Sequence, residues 1–332
     1  MRKSCLLFAV ILTLLFAGCS SKEVYEPKLV KADWEFYGDS TEKIVDVSSD
    51  VAMLESRKVL LKDRLIDTTI QESYRLLGSS DGWVLSSTID GELIIDFIDD
   101  ASMKKKFNLK KTIAGASIKD DILAVLFSDN EMALYSISEK SLLVKVQGTT
   151  PVVVDSRIVN PYFMNDLVLF LTLDGKIVIV NSKLKKKLRT TIVSSEDNFN
   201  NIIYFNVIDN KLIAATGSKI LSMATKEIRV NYEVRNMAYS GKNIFITTKQ
   251  GEVISLTPDL QVNAKVKFPF AHFLGLIIHD DKIYVLEKEG YLIEITKDLL
   301  EYNVYEVDIE DGYIFVADKM FYIDDEYISL EQ

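Results

Sequence analysis

Residues 74–100 read Tyr74-Arg75-Leu76-Leu77-Gly78-Ser79-Ser80-Asp81-Gly82-Trp83-Val84-Leu85-Ser86-Ser87-Thr88-Ile89-Asp90-Gly91-Glu92-Leu93-Ile94-Ile95-Asp96-Phe97-Ile98-Asp99-Asp100, and Lys104-Lys105-Lys106-Phe107-Asn108-Leu109 follows shortly after. Short runs of β-branched, aromatic and aliphatic residues alternate with Asp-Gly and Asp-Asp pairs. Such runs favour strands. Asp-Gly between two of them is a strong hairpin signal, because both central residues of the tight turn need positive φ. The stretch therefore predicts four antiparallel strands joined by three short turns.

The same unit recurs along the chain. Its second turn is visible at Asp90-Gly91, Asp129-Asn130, Asp174-Gly175, Gly217-Ser218, Gln250-Gly251 and Glu289-Gly290. Its first turn is marked by Asp50, Asp81, Asp120, Asn165, Asp209, Gly241, Asp280 and Asp311, at intervals of 31, 39, 45, 44, 32, 39 and 31. A period near 40 with four strands per unit predicts an all-β fold, a β-propeller in which each unit is one blade. Eight markers give eight blades; the alternative is seven, if the compact last unit and the irregular first one are halves of one blade. A strand near Trp34-Glu35-Phe36-Tyr37 is placed to close the ring against the last unit. Runs such as Lys176–Val180 and Asn243–Thr247 are apolar nearly throughout, as expected where blades cover both faces of a strand. Lys104–Lys106 and Lys185–Lys187 fall where outermost strands belong, and lysines there block edge-to-edge pairing.

The N-terminus carries an address. Arg2 and Lys3 precede an apolar run from Leu6 to Phe16, then Ala17-Gly18-Cys19 and Ser20-Ser21-Lys22. A charged start, a short apolar core and small residues before the cut form a secretory signal. The Ala-Gly-Cys ending resembles a bacterial lipoprotein signal. The resulting division is a signal peptide over 1–18, lipidated Cys19 with a flexible tether over 19–40, and the propeller over 41–332.

Loss of 1–18 leaves 314 residues, with 37 basic against 49 acidic side chains. That excess argues against nucleic-acid binding, which needs a basic footprint, and against charge-driven adhesion to anionic lipid. Attachment then rests on the acyl chains of Cys19. The other cysteine, Cys5, leaves with the signal, so the domain is held by packing without disulfides. Ser20, not Asp, follows the cysteine; by resemblance to Gram-negative sorting this implies the outer membrane, facing the periplasm.

Catalytic constellations are not evident. His272 and His279, seven residues apart on one strand run, fall on opposite faces and do not share a metal. The chain has no Gly-x-Ser-x-Gly elbow, no Gly-rich phosphate loop and no cysteine left for thiol chemistry. Paired acids such as Asp99-Asp100, Asp120-Asp121 and Asp280-Asp281 sit at turns, where Asp bonds its own backbone. No catalytic, metal or cofactor-binding residue is assigned.

Segments such as Leu173-Asp174-Gly175-Lys176-Ile177-Val178-Ile179-Val180-Asn181, Lys249–Thr257 and Lys288–Thr296, behind a lipoprotein signal, resemble the pyrroloquinoline-quinone-like repeat propellers. Within that group the lipidated, non-enzymatic branch is the BamB-like lipoproteins of outer-membrane barrel assembly. The resemblance covers essentially the whole chain. Enzymes of the group carry repeated Trp and ligands for Ca²⁺ and quinone; this chain has two Trp. The resemblance therefore implies a scaffold without cofactor. Its partners would be the periplasmic repeats of the barrel-assembly channel protein and nascent outer-membrane proteins. Alternatives are a periplasmic ligand- or cell-wall-binding propeller and a quinoprotein-like enzyme with acids and amides converging on the axis. Partner-contacting residues are unknown; the longest departures from the repeat, Pro151–Tyr162 and Ser194–Asn201, are the candidate rim loops.

Overall fold

A computed structural model describes residues 23–40, 42–196 and 198–331. The signal segment 1–18 and Cys19 lie outside the described residues.

The described residues form eight antiparallel sheets and contain no α-helix. Blades 1 to 7 take their strands in sequence order, from residues 44–69, 75–108, 113–147, 162–192, 204–231, 234–267 and 273–306. Each first strand lies innermost, and the inner strands of blades 2 and 3, and of 6 and 7, pack side by side. Eight apolar clusters fill the eight seams. Phe107 and Leu85 of blade 2 meet Val125 and Phe127 of blade 3, for instance, and Phe315 of blade 8 meets Ile44 and Leu54 of blade 1. A seam between every consecutive pair, including the last and the first, closes the ring at eight blades.

The turn chemistry is as expected. Asp81, Asp120, Asn165, Asp209 and Asp280 all have positive φ, as do Asn130 and the turn glycines Gly82, Gly91, Gly175, Gly251 and Gly290. Lys104–Lys106 lie on the outermost strand of blade 2, and Lys186 and Lys187 on that of blade 4. Asp121 accepts from the Ser136 hydroxyl and the Ser138 N–H, both at 2.7 Å, so this acid of a turn pair is structural.

Two details differ from expectation. Asp311 precedes the inner strand of blade 8 (Ile314–Val316), so the first turn of that blade is at Asp318-Lys319. The C-terminal unit supplies three strands and the N-terminus the fourth, as the strand expected near Trp34–Tyr37 implies; what differs is how early the docking begins. Strand β1 (Ala32–Asp33) lies parallel on the outer strand of blade 7 (Tyr302–Glu306). Strand β2 (Tyr37–Asp39) then pairs antiparallel with Glu326–Ser329 and completes blade 8. Trp34, between them, is 5% exposed; its indole N–H donates to the Ser329 carbonyl at 2.9 Å and its ring meets Tyr305 edge-on. The propeller thus begins before residue 41. Tyr25 is already buried against Phe268 and Tyr291, so the expected free tether up to residue 40 is shortened. Apolar and aromatic side chains cause this docking, since burying each is worth roughly 1.5–3 kcal/mol.

Candidate functional site: the axis and the rim

Propellers offer three surfaces for function: the axial channel, the two rims and the seams. In this ring the axis is occupied by its own chain. Residues 151–161, linking blades 3 and 4, leave the rim and cross between inner strands. The Asn160 carboxamide donates to the Leu77 carbonyl of blade 2 at 3.0 Å and accepts from the Ala116 N–H of blade 3 at 3.1 Å. Arg157 Nη1 donates to the Arg235 carbonyl of blade 6 at 2.5 Å. Blades 2 and 6 stand opposite each other in a ring of eight, so these two anchors span the axis.

The segment is also braced internally. Arg157 grips Asp155 with two bonds, Nε to Oδ1 at 2.9 Å and Nη2 to Oδ2 at 2.6 Å. Burial pushes the Asp155 carboxyl up, but the Arg157 hydrogen bonds outweigh it and hold the group below the usual carboxylate range. Asn201, fully buried on the loop leading to blade 5, accepts from the Asp155 N–H at 2.7 Å and donates to the Arg157 carbonyl at 2.8 Å. Two glycines make room: a Cβ on Gly78 would stand 2.3 Å from Asn160 Nδ2, and one on Gly115 2.9 Å from its Oδ1. The candidate rim loops 151–162 and 194–201 therefore come together, but most of the first is an axial plug. Its start stays at the surface, where Val152 is 84% exposed and is met by Phe199, 57% exposed, whose N–H donates to the Val153 carbonyl.

Beside the plug remains a funnel of about 350 Å³, lined by Asp50, Ser79, Ser80, Ser117 and Asn160 among others. Acids and an amide do converge on the axis, as an axial enzyme would require. Asp50, Asn160 and Ser80 are engaged in the walls, however. Asp50 accepts from the Ser79 N–H at 2.9 Å and hydroxyl at 2.6 Å, and Ser80 exchanges bonds with the backbone of Ile118. These groups join neighbouring inner strands.

The histidines do not meet at a site. His279 lies 3.5 Å from Asp280, while the His272 N–H donates to Glu287 Oε1 at 2.8 Å. Glu287 is fully buried and also accepts from the Glu289 N–H at 2.7 Å; burial holds its carboxyl above the ordinary range. One acidic group escaped the sequence reading: Glu310, from the loop into blade 8, comes together with Asp324 and Asp325 of its second turn. Lys43 pairs with Asp324 there. Only the fold reveals this grouping.

Fold and axis together define an eight-bladed propeller with a self-filled channel. No family model matches the chain. It is 34% identical over 194 residues to the plasminogen-binding protein PgbB of Helicobacter pylori strain J99, a match covering 57% of this chain and 36% of that protein. The chain thus spans about a third of the length of that relative. Among solved structures it resembles BamB from Moraxella catarrhalis, with a TM-score of 0.67 at 12% identity over 89% of this chain and 98% of that one. The C-terminal WD40 domain of Sif2 is similar too, at 0.65 and 10% over 92% and 100%. At such identities these structures speak for the fold alone.

Proposed function

We propose that this protein is a non-enzymatic, lipid-anchored propeller that works by binding other proteins. The plug carries this reading: the axial channel is crossed by residues 151–161, pinned to opposite blades by Asn160 and Arg157, and beside it Asp50 is held by Ser79. The finer reading is a BamB-like scaffold anchored through Cys19 in the outer membrane and facing the periplasm. It would engage the barrel-assembly channel protein and assist insertion of barrel proteins. The lipobox, the propeller and its likeness to BamB support it. The test is a pull-down of the lipidated protein from crosslinked cell envelopes, read by mass spectrometry. Enrichment of the channel protein supports the scaffold; a clean pull-down without it removes that role.

A second reading has its own support. The 34% identity to a protein named for binding plasminogen favours a propeller that binds plasminogen. Immobilised protein exposed to purified plasminogen distinguishes the two: saturable capture favours this reading, and its absence leaves the assembly role.

A further inference from the structure

The thinnest seam is the one where the ring closes. Six buried apolar residues form the cluster between blades 8 and 1, against eight to thirteen in the other seams. The cause is local. Blade 8 is built from strands of three or four residues, and β2 contributes only Tyr37, Gly38 and Asp39. The outer part of the seam is left open as a cleft of about 580 Å³.

Three properties coincide there. The walls are apolar and aromatic, with Leu54 and Leu60 from blade 1 facing Met320, Tyr322 and Tyr327 from blade 8. At the mouth Tyr37 and Leu65 are 63% and 47% exposed. The rim is acidic: Glu35, Asp39 and Glu331 border the cleft, the first two without a cationic partner among the described residues, and the one base of residues 301–332 is Lys319. Lys319 is itself bound to Glu331. Nearby, burial and then the charges of Glu310, Asp308, Asp325 and Asp39 hold the Glu326 carboxyl above its ordinary range, which reports the same negative field. Finally, β2 is an open edge. Phe36 and Ser40 direct their backbone bonds inward, to Ser329 and Asp325. By the alternation of an antiparallel ladder, the N–H and C=O groups of Tyr37 and Asp39 point outward. Tyr37-Gly38-Asp39 lacks the lysines that guard the outer strands of blades 2 and 4. Blade 7, by contrast, has its outer edge already covered by β1.

We propose that this cleft docks an extended segment of a partner protein in which apolar or aromatic side chains alternate with lysine or arginine. The segment adds to the β2 edge, seats its apolar side chains between Leu60 and Tyr322, and sets its cations against Glu35 and Asp39. Strand addition supplies the backbone bonds and the pockets select alternate side chains. Charge complementarity sets orientation and excludes acidic segments. This deepens the protein-binding reading and is independent of the barrel-assembly partner: failure in the envelope pull-down would leave the cleft untouched, and failure here would leave the pull-down untouched.

The test uses the mature chain and a fluorescein-labelled peptide, Lys-Phe-Lys-Leu-Lys-Trp-Lys, followed by fluorescence anisotropy at about 0.15 M salt, where exposed charges more than about 8 Å apart are screened. Two control peptides replace every lysine by glutamate, or every apolar residue by serine. The parent peptide should bind at least about tenfold tighter than either control, about 1.4 kcal/mol. Glu35→Lys with Asp39→Lys should weaken it by a similar factor, as should Leu65→Arg; these side chains are exposed, so the variants fold. Lys186→Glu, on blade 4 across the ring, should leave binding unchanged. Equal binding of the serine control would reduce the effect to bulk charge and overturn the proposal, as would indifference to the cleft variants. Failure of the peptide, with self-association abolished by the Glu35 and Asp39 changes, would make a second copy the occupant and also overturn it.

Discussion

Replacing Asn160 by alanine tests the axial plug. The carboxamide makes two bonds to main-chain groups of different blades, at 3.0 Å to the Leu77 carbonyl and 3.1 Å to the Ala116 N–H. Truncation leaves both groups without their partner. Each buried, unsatisfied polar group costs about 1–3 kcal/mol. The site is half-buried, so water can replace part of the loss, and the expected cost for the two groups together is about 2–4 kcal/mol, the lower half of the range. Against a total stability of about 5–15 kcal/mol this is a large fraction. Urea denaturation followed by tryptophan fluorescence reports from both Trp34 at the closure and Trp83 in blade 2. Val152→Ser, at an 84% exposed position of the same segment, is the matched control and should change stability by less than about 0.5 kcal/mol. A loss below about 0.5 kcal/mol for Asn160→Ala would mean that the segment merely lies in the channel and is not held there by Asn160.

Other consequences can be measured on the same protein. Gly78→Ala places a methyl 2.3 Å from Asn160 Nδ2, so its cost should shrink in the Asn160→Ala background; additive costs in the double-mutant cycle would show that the two sites do not touch. Trp34→Ala should cost about 3–5 kcal/mol, as for large aromatic truncations, and should speed proteolysis before residue 41; unchanged protection would remove the closure role. Glu287 has a carboxyl raised by burial. Its stabilising contribution is therefore full below the unfolded value of about 4.3 and is lost as pH rises through the folded value. Glu287→Gln does not titrate, so its stability relative to wild type should improve from pH about 4.3 upward; a flat difference would contradict the shift.

Much of this fold is legible because the turns are written in residue chemistry. Asp81, Asp120, Asn165, Asp209 and Asp280 mark first turns by tolerating positive φ. Seven of the eight markers fall at first turns; the eighth, Asp311, stands one turn early, before the inner strand of blade 8, and still marks that blade. The closing strand near Trp34–Tyr37 is legible although its partner lies about 290 residues away in sequence; its register is not, because the strand that completes blade 8 is Tyr37-Gly38-Asp39, which has no strand pattern of its own. The plug was visible only as a departure from the period. Its decisive groups, Asn160 and Arg157, act on main-chain carbonyls 83 and 78 residues distant, and main-chain carbonyls have no residue identity to read. The cleft was hidden for a related reason. Its walls come from blade 1 and blade 8, the two ends of the repeat, and its acids look like ordinary surface charge until the ring brings them together.

The plug and the cleft follow from one geometric fact. Ring size sets the width of the channel, as strand number sets the bore of a barrel. Glycines on the inner strands, Gly78 and Gly115, leave room at the axis, and a chain segment enters. That segment needs hydrogen-bonding side chains, because its half-buried backbone has no strand partner; Asn160, Asp155, Arg157 and Asn201 supply them. The closure obeys the opposite constraint. The last blade is assembled from both ends of the chain, so its strands are short and its seam is thin. Filling the axis moves binding capacity away from the centre, and closing the ring with short strands opens it at the edge. The surface best shaped to hold a partner is therefore the seam between blades 8 and 1.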